Sequence, residues 1–292
     1  MKIVLFGRDG QLGLSLNALL GGMELSAYGR REVDLADGAR LRDTLMRQQP
    51  RVIINAAAYT AVDQAESDAG AAARINGEAP RIMAQAAREL GALLVHYSTD
   101  YVFDGKALEP YTEDSPTEPL GVYGRTKLEG EQAVRDAGCA YLVIRTAWLY
   151  SGHGRNFLKT MLRLASERNE LRVVDDQIGS PTYAGAVAEG SMRVLAAMAD
   201  GEGFRAGHSG VYHMTCAGAV SWCGFARRII ELSGLGARVH VTPIGTAEYP
   251  TPARRPAYSV LSCDKLEREF GIRLPHWEVA LGQCLARDGD LA

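Results

Sequence analysis

Tyr123 and Lys127 stand four residues apart in Tyr-Gly-Arg-Thr-Lys, and Thr99 closes the apolar run Leu93-Leu-Val-His-Tyr-Ser-Thr99. A phenol, an ammonium and a hydroxyl are groups that can give a proton to, or take one from, an oxygen on carbon. Leu128, Glu129, Glu131, Gln132, Ala133 and Val134 favour a helix, so Tyr123 and Lys127 should share one helical face. A phenol titrates near pH ~10, and a unit charge about 4 Å away at an effective dielectric of about 20 favours the phenolate by roughly 4 kcal/mol. The spacing therefore predicts a phenol drawn toward neutral pH by its lysine, with Thr99 bonded to the same reacting oxygen. Taken alone, Tyr-x-x-x-Lys more often describes a solvated helix face with a snorkelling lysine, so the surrounding elements must decide.

Those elements read as strands alternating with helices. Leu93 to Thr99 is a buried parallel strand with a polar tip, and its carboxyl end is where open α/β sheets bind ligands. The chain opens with a strand, Lys2 to Phe6, then Gly7-Arg-Asp-Gly10-Gln-Leu-Gly13, then Leu14, Leu16, Leu19 and Leu20 in helical spacing. Glycines let the backbone approach a pyrophosphate, and the amino terminus of the helix offers it free N–H groups. A second strand, about Glu24 to Tyr28, should end beside an adenosine ribose. It runs into Gly29-Arg30-Arg31, and two guanidiniums suit a 2′-phosphate, so the reading leans to NADP. Glu32 follows, and Asp34 and Leu35 could meet the adenine. A helix near Ala39 to Gln48 leads to a third strand, Arg51 to Asn55, which ends in Asn55-Ala-Ala-Ala-Tyr-Thr60. Small residues there admit a cofactor or, equally, tight helix packing. A long Ala-rich helix to about Leu90 is expected next.

Beyond the Tyr123 helix, Ala140 to Arg145 is a fifth strand, followed by Thr146-Ala-Trp148. The pattern argues α/β: a Rossmann-like, doubly wound parallel sheet with a smaller α/β substrate-binding domain. Residues 1–147 are expected to form the dinucleotide-binding domain and 148–292 mainly the substrate domain, with segments near 165–175 and 184–215 returning to the sheet. Arg254 and Arg255, held between prolines in Thr-Pro-Ala-Arg-Arg-Pro256, could hold a diphosphate or form a surface ion-pair cluster.

At 292 residues, size does not limit the core. Thirty-two basic against 35 acidic residues, net −3, with no basic block, favour neither nucleic acid nor a membrane surface, which leaves small molecules. The five cysteines are scattered without a Cys-x-x-Cys pair and read as reduced, core-filling thiols of a cytoplasmic protein. No apolar run approaches the length of a membrane span, and no secretory leader pattern opens the chain.

The glycine turn Gly7-x-x-Gly10-x-x-Gly13, Asn55-Ala-Ala-Ala, Ser98-Thr99-Asp100 and Tyr123-x-x-x-Lys127, in this order, resemble the extended short-chain dehydrogenases/reductases. More narrowly, His96-Tyr-Ser-Thr-Asp-Tyr-Val-Phe-Asp-Gly105, Asp176-Gln-Ile-Gly-Ser-Pro-Thr182 and Tyr249-Pro-Thr-Pro-Ala-Arg-Arg-Pro256 are similar to the dTDP-4-dehydrorhamnose reductase family, over nearly the whole chain. The resemblance implies reduction of the 4-keto group of dTDP-4-dehydro-L-rhamnose by NADPH, or NADH, giving dTDP-L-rhamnose. It implies Tyr123 as proton donor, Lys127 holding the nicotinamide ribose, and Thr99 as hydroxyl partner. It also implies cofactor contacts from Gly10, Gln11, Leu12, Asp34, Leu35, Ala58, Tyr59, Thr60 and Tyr97, and substrate contacts from Asp100 and from Trp148, which would offer a flat face to a sugar. Tyr101 stands where sugar 4,6-dehydratases, which resemble this chain, carry a glutamate, which disfavours elimination; an epimerase stays open. A non-catalytic regulatory subunit of the methionine adenosyltransferase type is a further alternative, disfavoured by the intact Thr99, Tyr123 and Lys127. Some members bind magnesium at a dimer contact through a glutamate where this chain has Leu14-Ser15-Leu16. A hydroxyl is the poorer ligand, so no metal ligands are assigned and both magnesium and the homodimer it would support stay open.

Overall fold

Short β-branched and leucine-rich runs, each closed by glycine or small polar residues, form the strands β1 (Ile3–Phe6), β2 (Leu25–Tyr28), β3 (Val52–Asn55), β4 (Leu93–Thr99) and β5 (Ala140–Thr146). In the computed structural model, which describes residues 1–200, 203–204 and 206–287, these strands and Gly210–His213 make one six-stranded sheet. Its order is Gly210–His213, β5, β4, β3, β1, β2, and every pairing is parallel. The chain reverses direction across the sheet between β1 and β3, the position at which doubly wound sheets open a ligand crevice.

Alternation along the strands divides the interior in two. Ile3, Leu5, Val52, Ile54, Leu93 and Val95 join α1 (Gln11–Leu20) and the helix Ala184–Met198 in one layer. Val4, Phe6, Ile53, Leu94 and Val143 join the helices Gly38–Gln48 and Ala79–Leu90 in the other. Because both faces are covered, β1, β3 and β4 are buried from end to end, as parallel strands require.

One expectation needs correction. The segment near 165–175 does not return to the sheet: Glu170–Val174 pairs in parallel with His240–Ile244 in a separate two-stranded sheet. Its residues alternate between exposed and buried, which suits a strand with one covered face and not a central one. The segment 184–215 does return, its helix packing on α1 and its strand on β5; within it, residues 201–202 and 205 lie outside the described residues, as do 288–292 of the expected substrate domain. The expected long Ala-rich helix runs without interruption from Ala69 to Leu90, with a single wide turn over Arg74–Glu78 between Ala69–Ala73 and Ala79–Leu90, and the separate short helix Val62–Ala65 precedes it. Pro80 has no N–H to give the Asn76 carbonyl. That carbonyl instead abuts Gly130 of the helix Val122–Asp136, where a side-chain Cβ would lie only 2.1 Å away. Among the described residues no helix is long and apolar enough to cross a membrane.

After β5 the chain builds a smaller α/β unit. Leu149–Tyr150 pairs with Thr182–Tyr183, Ile178–Gly179 with Val220–Ser221, and helices Phe157–Glu167 and Trp222–Leu232 pack beside them.

Candidate active site

A cavity of about 1010 Å³ runs along the carboxyl ends of the central strands. Its floor begins at the glycine turn. Gly7 has a φ of +86°, and a Cβ there would sit 2.6 Å from the Ala57 nitrogen; only glycine accepts that backbone and that approach. Gly10, Gln11 and Leu12 line the cavity with Gly7. Gly13 lies beneath them, where a side chain would collide with the Gly7 carbonyl. Gln11 also ties this turn to the smaller unit: its Oε1 accepts from Ser151 Oγ at 3.2 Å and Asn156 Nδ2 at 2.8 Å.

Arg30, Asp34 and Leu35 line the far end of the cavity, with Arg30 Nε 3.6 Å from Asp34. Arg31 does not line it. The Glu32 carboxylate is engaged by Arg8 at 2.7 Å and by the Gly29 N–H at 2.9 Å. Opposite, Ala58, Tyr59 and Thr60 form the wall after β3. Asn76, which sequence reading passed over, holds that wall: its Oδ1 accepts from Tyr59 N at 2.8 Å, and its Nδ2 donates to Tyr59 O and to Thr126 Oγ1, each at 3.2 Å. A buried asparagine in an Ala-rich helix is the signal that could have found it.

Tyr123, Lys127, Thr99 and Asp100 meet where the cavity crosses β4. Gly124 allows this, because a Cβ there would lie 2.1 Å from the Tyr101 carbonyl; without a side chain at 124 the helix closes on the turn after β4. Thr99 Oγ1 donates to Asp100 at 3.0 Å and accepts from Tyr101 N at 3.2 Å. Tyr101 packs edge-on against Tyr123, ring centroids 5.7 Å apart.

The electrostatics differ from the sequence expectation. Burial pushes the Tyr123 phenol up to about 12, the Thr99 hydroxyl opposing and Asp100 adding to the rise. Lys127 does not draw it down, because its Nζ is turned to the Tyr97 carbonyl at 2.6 Å and to His96 Nε2 at 3.4 Å. The expected ammonium on phenol is thus an ammonium on a strand carbonyl. Lys127 is itself buried, which lowers it to about 8 against the opposing charge of Glu131. Burial raises Asp100 to about 6. The Tyr97 hydroxyl is spent on Ser191 Oγ at 2.7 Å.

Trp148 lines the cavity from a backbone with φ of +45°. One face of its indole lies flat on Trp222, centroids 3.4 Å apart, and its edge sits over Gly179, so at most one face is left to a ligand. Arg254 and Arg255 are not in the cavity wall. Arg255 grips Asp63 with both nitrogens, at 3.0 and 2.8 Å, and its free diphosphate-binding fork is thereby used up. Of the two alternatives read from the sequence, the ion-pair cluster is the one Arg255 makes.

The cavity fits a nicotinamide dinucleotide by two observations: the glycine cradle at Gly7 and Ala57, and two buried hydroxyls, Ser98 Oγ just before Thr99 closes β4 and Thr146 Oγ1 at the end of β5, that line the cavity without a hydrogen-bond partner. Orphaned polar atoms at strand ends are groups a ligand can satisfy.

Residues 1–289 match the family model described as the RmlD substrate binding domain. The dTDP-4-dehydrorhamnose reductase of Burkholderia thailandensis is 47% identical, over 98% of each chain. Among solved structures, the dTDP-4-dehydrorhamnose reductase of Clostridium acetobutylicum is similar at 40% identity and a TM-score of 0.91, covering 98% of this chain and 99% of that one. The Bacillus anthracis dTDP-4-dehydrorhamnose reductase, solved in complex with NADP, is similar at 35% identity with the same TM-score and coverage.

Proposed function

The chain belongs to the dTDP-4-dehydrorhamnose reductase family, and from that premise we propose that it reduces the 4-keto group of dTDP-4-dehydro-L-rhamnose to dTDP-L-rhamnose with NADPH, or NADH. The observation that carries the reading is the meeting of Thr99, Tyr123 and Lys127 on a cavity floored by the glycine turn.

A nicotinamide bound in the cavity would supply the hydride to C4 of the sugar. Tyr123 supplies the proton: a phenol held near 12 keeps its proton through the neutral range and gives it to the C4 oxygen as negative charge develops there. Thr99 would turn its one hydroxyl proton from Asp100 to the same oxygen. Lys127 is still largely an ammonium at neutral pH given its value of about 8, with its Nζ turned to the Tyr97 carbonyl and not to the phenol. It would hold the nicotinamide ribose of the bound cofactor. Asp100 and the open face of Trp148 hold the sugar nucleotide, and Gly7, Gly10, Gln11 and Leu12 the pyrophosphate. Arg30 favours a 2′-phosphate at the ribose end, which supports NADPH as the preferred donor.

Domains are proposed as a dinucleotide-binding unit through 147, joined by 184–215, and a substrate-binding unit from the remainder. A cytoplasmic location fits a nucleotide-sugar substrate. Mixing the protein with NADPH and the 4-keto sugar nucleotide should bleach nicotinamide absorbance. Oxidation no faster than background would move the assignment to the regulatory-subunit reading.

A further inference from the structure

A chain of hydrogen bonds runs through the interior of the sheet to Lys127, and none of its inner members touches the cavity. The backbone N–H of Ala57 donates to Asn55 Oδ1 at 3.2 Å. Asn55 Nδ2 lies 3.0 Å from His96 Nδ1, and His96 Nε2 lies 3.4 Å from Lys127 Nζ. Asn55 and His96 are 1% and 0% exposed, so no water can rearrange their partners. We propose that Asn55 and His96 are positioning residues that carry a hydrogen-bond direction from the cofactor loop through the sheet and present an N–H, not a lone pair, to Nζ of Lys127.

The direction follows from which atoms can only donate. A backbone N–H has no lone pair to offer, so the atom of Asn55 facing Ala57 is the carbonyl oxygen. The amide nitrogen then faces His96 and must donate, so Nδ1 accepts. A neutral imidazole that accepts at Nδ1 carries its proton at Nε2. That proton points at Nζ. An ammonium there would meet a donor with a donor, whereas the amine can accept it with its lone pair. The opposite arrangement, with Lys127 donating to Nε2, would put a proton on Nδ1 against the Asn55 amide. Flipping that amide would only move the conflict to Ala57.

The chain therefore restrains Lys127 from holding its third proton too firmly, while the Tyr97 carbonyl keeps the nitrogen in place. Other groups around Nζ do not do this. Glu131, on the same helix, favours the ammonium but is held by Arg145 of β5 at 2.7 Å. Tyr123 lies one turn back, and Asp100 and Tyr101 reach the same end of the helix from the turn after β4. Burial also keeps His96 itself well below its ordinary value, with the charge of Lys127 adding to the effect, so the imidazole stays neutral while the lysine titrates.

The consequence for turnover rests on the reductase reading, but the first test does not. In protein labelled with 15N-histidine, long-range proton–nitrogen correlation spectra report each ring's tautomer, and loss of one signal in His96→Gln assigns His96. The expected result is a neutral ring protonated at Nε2 from pH 6 to 9. A ring protonated at Nδ1, or one that takes a second proton in that range, overturns the proposal. Asn55→Asp keeps the shape but replaces the donor with an acceptor, and should move the proton to Nδ1; an unmoved tautomer also overturns it. In turnover, His96→Leu removes the N–H without adding charge, so the alkaline limb of kcat should move up by about one pH unit. A limb unmoved in His96→Leu overturns the link to Lys127. Absence of NADPH oxidation in the unaltered protein would instead count against the reductase reading and leave the tautomer result standing.

Discussion

Asp100→Asn should stabilise the fold at neutral pH and slow the reaction. The carboxyl is 2% exposed, and burial raises it from its usual 3.8 to about 6, with only partial relief from the hydroxyls of Ser259 and Thr99. Because the folded protein binds this proton more tightly than the unfolded chain does, the favourable contribution is complete at low pH. It is lost as pH rises through about 6. At pH 7 the buried carboxylate then costs about 3 kcal/mol, a cost the neutral amide does not carry. The amide oxygen can still accept from Thr99 Oγ1, so that bond is kept. Urea unfolding followed by tryptophan fluorescence should give the variant a higher midpoint at pH 7. At pH 4 the native carboxyl already holds its proton, and the difference should shrink below about 1 kcal/mol. An equal gain at both pH values, or none at pH 7, would refute the reasoning, since either means that the buried charge is not what strains the site. In turnover the same variant should raise KM for the sugar nucleotide, because Asp100 is proposed to hold it.

Tyr123→Phe should keep NADPH binding, measured by fluorescence titration, and lose at least about a hundredfold in kcat; wild-type turnover would remove the phenol from the mechanism. Arg30→Ala should weaken NADPH by about tenfold, worth about 1.4 kcal/mol, and leave NADH within about twofold, so parallel losses for both cofactors would deny it a 2′-phosphate. Glu131→Gln leaves the Arg145 guanidinium, 2% exposed, with its charge uncompensated, and should cost about 3–5 kcal/mol in chemical denaturation. A loss under about 1 kcal/mol would mean that water or a rearranged partner takes over.

The parts that could be read ahead of the fold were those set by neighbours in sequence. A strand buried on both faces must be apolar along its whole length, and β1, β3 and β4 are. A backbone at φ of +86° pressed on Ala57 needs glycine, so the Gly7 turn announces itself. Tyr123 and Lys127 share a helical face because four residues make about one turn. The strand Glu170–Val174 was assigned to the wrong sheet because an alternating run states that one face is covered and not by what. The Ala-rich stretch carried helical propensity throughout and is helical from Ala69 to Leu90, its one wide turn lying where the Asn76 carbonyl meets Gly130 on another helix.

Residue order alone thus determined which side chains could do chemistry here and which local frames could present them, since helix period, strand burial and glycine geometry are short-range properties. Tertiary structure decided what those side chains do to one another. Lys127 turned from the Tyr123 phenol to the Tyr97 carbonyl and to His96. Arg255 went to Asp63, far earlier in the chain, and Trp148 gave one face to Trp222. Each of these pairings depends on packing that brings distant segments within a few ångströms, and a charge or a ring has no preferred partner until that distance is set.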